Sequence, residues 1–336
     1  MKITAGLGSI DDYPRYVRAG ADELFCGYVP FSWSEKYGTV LPLNRREVLN
    51  YNVQIGSFSE LEILANMVQK YQKPVHLAFN SLHYRPEQYE EITQIIQQCR
   101  SIGFDSYILA DPALLVYLRK EKIDCEVHLS GDLGTVNSAM TEVFAKEYPK
   151  RIIFQRKNTE MRAVIQHITA QKEATRKEWT YPTEFEAFAL NELCQFSGAF
   201  CNSLHCDEMG YLCRVPYWKK PVSLSESKLE KQEKNRPGEN ISISEWDSAS
   251  ELTNPVSEDG YLCGATGCGL CTLKQLSDAG ITHLKLVGRG NYTDFMERDI
   301  RNLRRTLEIL EDSSTEEEYI RAMKAELFPN GCSHMC

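Results

Sequence analysis

Residues 75–130 read VHLAFNSLHYRPEQYEEITQIIQQCRSIGFDSYILADPALLVYLRKEKIDCEVHLS, and this stretch decides the fold. Three short apolar runs, Val75–Asn80, Ser106–Leu109 and Glu126–Leu129, have the length and residue types of strands. Between them lie Pro86–Ile102 and Pro112–Lys120, whose apolar residues recur at helical spacing. Asp111-Pro112 is a helix start, because Asp caps the free amides and Pro fits the first turn. Gly103 follows a helical pattern, where a left-handed residue closes the last turn.

Working outward, the same alternation continues. Strands are expected at Lys2–Ala5 and Glu23–Cys26 before this stretch, and at Arg151–Gln155, Glu184–Leu190 and His283–Val287 after it. Helices are expected at Ile10–Ala19, Ser59–Tyr71, Val136–Glu147 and Thr159–Ala170, with Asn158-Thr159 as a second capped start and Gly20 and Gly280 as further closing residues. Eight strand–helix units predict an α/β chain folded as a TIM-like (β/α)8 barrel; the alternative is an open sheet with a cysteine-rich subdomain. The barrel is expected over residues 1–290. It includes a cysteine-rich insertion after the seventh strand, residues 191–271, with a polar excursion at 220–258 that lacks any apolar period. Residues 291–336 hold charged helices, Thr293–Leu310 and Thr315–Leu327, and a cysteine-containing tail.

The chain has 336 residues, 42% hydrophobic and 25% charged, which is ample material for a core. A net charge of −9 disfavours capture of nucleic acid by bulk charge. No apolar run is long enough to span a membrane, so no membrane insertion is expected. The opening residues break at Gly6-Leu7-Gly8 and Asp11-Asp12, so no signal peptide and a cytoplasmic location are expected.

Twelve cysteines are the anomaly. Cys26, Cys99 and Cys125 are scattered among apolar neighbours and read as core thiols. The others crowd into Cys194, Cys201, Cys206 and Cys213, then Cys263, Cys268 and Cys271, then Cys332 and Cys336. In a reducing compartment such crowding points to a metal or metal–sulfur centre. The spacing is neither the ferredoxin run nor a pair of zinc hairpins, and by itself leaves iron–sulfur and zinc open. Cys268-Gly269-Leu270-Cys271 alone leans towards zinc.

Several motifs together resemble the U32 family, named for a supposed peptidase. They are Ala19-Gly20-Ala21-Asp22-Glu23 through Gly27, Val127-His128-Leu129-Ser130 with Asn137-Ser138-Ala139, Glu186-Ala187-Phe188 through Cys194, Cys201, Cys213-Arg214, Cys271-Thr272-Leu273, and Leu286-Val287-Gly288-Arg289. The resemblance implies that Cys194, Cys201, Cys213 and Cys271 hold a [4Fe-4S] cluster. It also implies one of two activities. Some members hydroxylate an aromatic or nucleobase ring without molecular oxygen, with prephenate as the oxygen source; the family label is peptidase. A third reading is a structural cluster in a protein that works with a paralogous partner. The chain departs from the family pattern at Asn191-Glu192, at Gly198, and at Lys157 after Arg156. Cys206, Cys263, Cys268, Cys332 and Cys336 have no family counterpart; they read either as a second metal site, with His205 or His334, or as free thiols.

Neither G-x-S-x-G nor H-E-x-x-H occurs, and cysteines that hold iron cannot attack a carbonyl, so modification is preferred to proteolysis. A dicarboxylate co-substrate needs guanidinium partners, for which Arg156, Arg214 and Arg289 are the candidates; the plainer reading of each is a loop salt bridge. His128 and Asn80, near strand ends, are candidates for substrate contact or proton transfer, against the plainer reading of His128 as a buried, hydrogen-bonded imidazole. Asp111 and Asp132 also follow strands. Tyr211, Tyr217 and Trp218 beside Lys219-Lys220 would suit a single-stranded base, or would shield a cluster; RNA and a small aromatic substrate stay open. Arg301, Arg304 and Arg305 are interleaved with Glu297, Glu308 and Glu311 and read as a solvated face.

Overall fold

Strand residues in this chain alternate between two kinds of neighbour, and that alternation builds the molecule. In the computed structural model the described residues are 1–38, 41–45, 53–133, 137–155, 165–166, 184–190, 260–264, 267–289 and 292–332. In chain order they form β1 (Lys2–Gly6), α1 (Tyr13–Ala19), β2 (Glu23–Tyr28), α2 (Phe31–Tyr37), β3 (Gln54–Ile55), α3 (Phe58–Tyr71), β4 (Val75–Phe79), α4 (Pro86–Ser101) and β5 (Ser106–Leu109). There follow α5 (Pro112–Lys120), β6 (Glu126–Leu129), α6 (Ser138–Ala145), β7 (Arg151–Ile153), β8 (Glu184–Phe188), α7 (Leu273–Ala279), β9 (His283–Leu286), α8 (Thr293–Asp312) and α9 (Glu316–Leu327).

All pairings are parallel, and β1 pairs with both β2 and β9, which closes eight strands into a TIM-like barrel. The short β3 stands outside that count. Gly27 of β2 pairs with Ala78 of β4 on one side and Gln54 of β3 on the other, so β3 covers the edge of β2 that β1 leaves at Phe25.

Among the described residues the expected helix starts and stops are present; Asn158-Thr159 lies outside them. Asp111 caps α5 by accepting from the Ala113 amide at 2.8 Å, and Gly20 and Gly280 close α1 and α7 in the left-handed region. Ser57 and Glu60 form a capping box on α3. The eight expected strands coincide with barrel strands. The expected helices at residues 10–19, 59–71, 86–102, 112–120, 136–147, 293–310 and 315–327 are also present. The expected helix Thr159–Ala170 lies outside the described residues apart from 165 and 166, and most of the cysteine-rich segment, 191–259, lies outside them altogether.

Outward-facing strand residues such as Ile3, Leu24, Leu77, Tyr107, Val127, Ile152 and Leu284 join the helices in one large apolar core. Cys26, Cys99 and Cys125 belong to it as expected of core thiols, and burial pushes the Cys26 and Cys99 thiols up to about 12. Inward-facing residues split into two levels. Phe25, Ala78, Ile108 and Ile153, with Phe188 against them, form a small apolar layer. Towards the strand starts the lumen is polar: Glu23, His76, Ser106, His128, Arg151, Glu186, His283 and Lys285 are all buried.

Candidate functional site

At the C-terminal ends of the strands, where barrels of this type carry their chemistry, Arg289 follows β9 and is buried. Its Nη1 donates to Gln54 Oε1 at 3.1 Å and its Nη2 to Asn44 Oδ1 at 2.8 Å. Asn44 in turn donates to the Ala78 carbonyl at 2.5 Å. The guanidinium rests over Gly27. A Cβ there would lie 1.7 Å from Gln54 Oε1, 2.5 Å from Arg289 Nη1 and 2.8 Å from Asn44 Nδ2, so only a residue without a side chain admits this arrangement. The two amide oxygens orient the cation.

A second polar group borders the same mouth. Arg45 Nη1 pairs with Asp132 Oδ1 at 2.7 Å, and Asn80 Nδ2 donates to Asp132 Oδ2 at 3.4 Å. Beneath both groups lies the apolar layer of Phe25, Ala78, Ile108 and Ile153.

The described end of the cysteine-rich segment returns to the barrel beside β8. Leu190, just past that strand, donates its amide to the Cys268 carbonyl at 2.9 Å. Gly264 packs so closely on Cys268 that a Cβ would sit 2.8 Å from the Cys268 Cβ. The C-terminal helices clamp this segment. Tyr261 donates to Asp299 of α8 at 2.8 Å, and Tyr319 of α9 donates to the Leu270 carbonyl at 2.6 Å. Burial pushes the Cys263 thiol up to about 12 and the Asp299 carboxyl up to about 6. Cys263, Cys271 and Cys332 are in no disulfide. Among the described residues no three His, Cys, Asp or Glu side chains gather as a metal site.

At the opposite end of the lumen, Arg151 donates to Glu23, Glu184 and Glu186 at 2.6, 2.7 and 3.1 Å. Lys285 pairs with Glu186 at 3.1 Å and lies 3.8 Å from the centre of the Phe25 ring. His76 bridges Glu23 and Ser106 at 3.0 and 2.8 Å, and Ser106 lies 3.3 Å from His128 Nε2. Burial opposes ionisation of Glu23, yet hydrogen bonds from His283 and His76 and the Arg151 charge hold it far below the usual carboxylate range. Burial, reinforced by Arg151, lowers His128 well below an ordinary imidazole; burial also lowers His76, against the pull of Glu23. A cavity of about 270 Å³ opens onto this network from the strand starts.

A family model described as "Peptidase family U32" matches residues 8–334. The chain belongs to the U32 family. No curated protein matches it. Among solved structures, the U32 peptidase Mk0906 is 13% identical, with 56% of this chain and 68% of that one covered at a TM-score of 0.39. A protein from Aquifex aeolicus VF5 is 15% identical over 55% and 74% of the two chains, at 0.35. Phosphoribosyl anthranilate isomerase from Thermus thermophilus is 12% identical over 56% and 76%, at 0.33.

Within this U32 protein the expected site residues separate. Arg289 and Asn80 stand at the C-terminal mouth. His128, expected near the mouth because it is one residue from its strand end, is instead on the lower layer, with its ring 4.5 Å from His76. The reason is strand stagger: His128 is level with Arg151, the first residue of β7. Asp111 is occupied as a helix cap and as acceptor for the Tyr84 amide. Arg305 pairs with Glu326 on an exposed charged face as expected, whereas Arg304 is half-buried against the turn after α1, donating to the Gly20 carbonyl at 2.6 Å and pairing with Asp22. Arg156, Arg214, Cys194, Cys201, Cys206, Cys213 and Cys336 lie outside the described residues, as do Tyr211, Tyr217 and Trp218. Asn44, Arg45 and Gln54 were not foreseen, since no apolar period marks their segment. The lower network was not foreseen either, though alternation in VHLAF, EFEAF and HLKL is its signal.

Proposed function

We propose that this U32 protein is an iron–sulfur enzyme that hydroxylates a ring, in an RNA base or a small aromatic molecule, without molecular oxygen. Prephenate is the proposed oxygen donor, and the C-terminal mouth is the proposed site. The observation that carries this reading is the Arg289 guanidinium, seated over Gly27 by two amide oxygens and bordered by an apolar layer. A planar fork suits a carboxylate, and an apolar layer suits the face of a ring. Arg214 and Arg156 are proposed as further carboxylate partners, and Asn80 as a substrate contact.

Cys194, Cys201, Cys213 and Cys271 are the proposed ligands of a [4Fe-4S] cluster, because four thiolates complete such a centre. Cys271 is a free, half-buried thiol three residues beyond Cys268, which fits that duty. When bound, the cluster would supply one-electron chemistry. A second metal site drawing on Cys206, Cys263, Cys268, Cys332 and Cys336 and a paralogous partner stay within the proposal, as does action in the cytoplasm.

Anaerobic purification with iron and sulfide counts and an absorption spectrum tests the cluster. Zinc without iron would sink it. With iron present, Cys194→Ala is expected to abolish a hydroxylated product in cells. Lost peptide cleavage with modified nucleosides and quinones intact would support the peptidase label instead.

A further inference from the structure

Ser106 and Glu23 begin β5 and β2, His76 is the second residue of β4, and the three meet at the N-terminal end of the barrel, opposite the mouth described above. Ser106 Oγ lies 2.8 Å from His76 Nδ1, and His76 Nε2 lies 3.0 Å from Glu23 Oε2. The direction of these bonds follows from what each group can do. Glu23 is held as a carboxylate by Arg151, Lys2 and the histidines, so it only accepts. His76 therefore carries its proton on Nε2 and presents a lone pair on Nδ1. Ser106 must donate its hydroxyl proton to that lone pair. His128, 3.3 Å from the same oxygen through Nε2, then donates to Ser106.

This is the arrangement of an activated nucleophile: a hydroxyl on a base, and the base oriented by a third group. Ser106, His76, Glu23 and His128 all line the cavity of about 270 Å³. Burial also favours the neutral form of His76, the form a general base needs.

We propose that the N-terminal end of the barrel is a serine acyl-transfer site, with Ser106 as nucleophile, His76 as base and Glu23 as the group that orients it. Ser106 Oγ adds to the carbonyl carbon of an ester or amide while its proton passes to His76 Nδ1. The bond to the leaving group breaks as that proton moves onto the departing oxygen or nitrogen. Water then adds to the acyl-serine, loses a proton to His76, and the carboxylic acid leaves as Ser106 regains its hydrogen. His128 Nε2–H is the donor nearest the oxyanion. Glu126, Asp105, Glu184 and Lys150 also line the cavity; Lys150 lies 3.8 Å from Glu184 and Arg151 is engaged by three carboxylates, so the acidic lining still outnumbers the basic and a small substrate with a cationic group fits better than an anionic one. The site is separate from the Arg289 mouth and does not depend on how that mouth is used.

Diisopropyl fluorophosphate applied to the full-length protein, with intact-mass and peptide mapping, tests it. A single adduct on Ser106 is expected, with none in Ser106→Ala. His76→Gln should slow labelling about a thousandfold, within the range for loss of a general base. Glu126→Gln, at the exposed rim, should keep the adduct but reduce the preference for choline esters over neutral esters severalfold. A wild-type protein unlabelled at Ser106 overturns the proposal whatever the variants do. Equal labelling rates in wild type and a folded His76→Gln also overturn it.

Discussion

The two ends of the barrel lumen are made by the same strands, two residues apart, yet they solve opposite problems. Glu23, His76, Arg151 and Glu186 face inward at one level; Phe25, Ala78, Ile153 and Phe188 face inward at the next. Buried charge is costly unless each group finds a partner, and at the lower end Glu23, Glu184 and Glu186 each meet a guanidinium, an ammonium or an imidazole. At the upper end the lumen turns apolar, and Arg289 donates to the amide oxygens of Gln54 and Asn44. One end is a network of ion pairs, while the other sets a guanidinium on amide oxygens above an apolar layer. The first end is where the acyl-transfer site is proposed, and the second is where carboxylate capture is proposed.

The comparison breaks most readily at Arg151. Replacing it with Met leaves Glu23, Glu184 and Glu186 facing one another in a buried layer, and should remove about 3–5 kcal/mol of stability in urea unfolding. A loss under about 1 kcal/mol would show that the lower end is not held by its charges. At the upper end, Gly27→Ala drives a methyl group into Gln54 and Arg289. A loss of about 1–3 kcal/mol is expected from overpacking, with weaker dicarboxylate binding measured by calorimetry.

Acid should distinguish the ends next. His76 and His128 titrate below the ordinary 6.5 in the folded protein, so the unfolded chain binds more protons as pH falls beneath 6.5. Stability is therefore complete above 6.5 and declines as pH drops through the folded values. Glu23 and Glu186, also depressed, add a further decline below the ordinary 4.5. Each histidine contributes a slope of up to about 1.4 kcal/mol per pH unit, and His128→Gln should flatten the thermal-denaturation profile just below 6.5 by one such share. The smallest effect is expected from Arg289→Lys. It should cost about 1 kcal/mol of stability through the amide bonds it loses, while weakening a bound dicarboxylate about tenfold. Unchanged binding in that variant would separate the mouth from carboxylate recognition.

Much of this molecule was legible in local patterns. VHLAF, EFEAF and HLKL alternate with period two, and their outward sets are the core seen in the barrel wall. Asp111 and Gly20 marked helix ends because a cap is a contact among near neighbours. The segment from 29 to 55 was not legible. α2 is seven residues after Pro30 with one buried side chain, Trp33, and β3 is two residues long, so neither sustains a period. That segment nevertheless supplies Asn44 and Gln54, which seat Arg289. His128 was misplaced for a related reason: distance from a strand end does not give depth in a barrel whose strands are staggered.

By itself the sequence determined the alternation of strands and helices, their caps, the core thiols and, through its motifs, the U32 family. These depend on residues a few positions apart, whose spacing is set by helix and strand geometry. Only the tertiary structure decided which charges meet, because Arg151 and Glu23 are 128 positions apart and His76 and Glu23 are 53 apart. Closure of the barrel and the register of its strands bring them together, and no local pattern encodes that register.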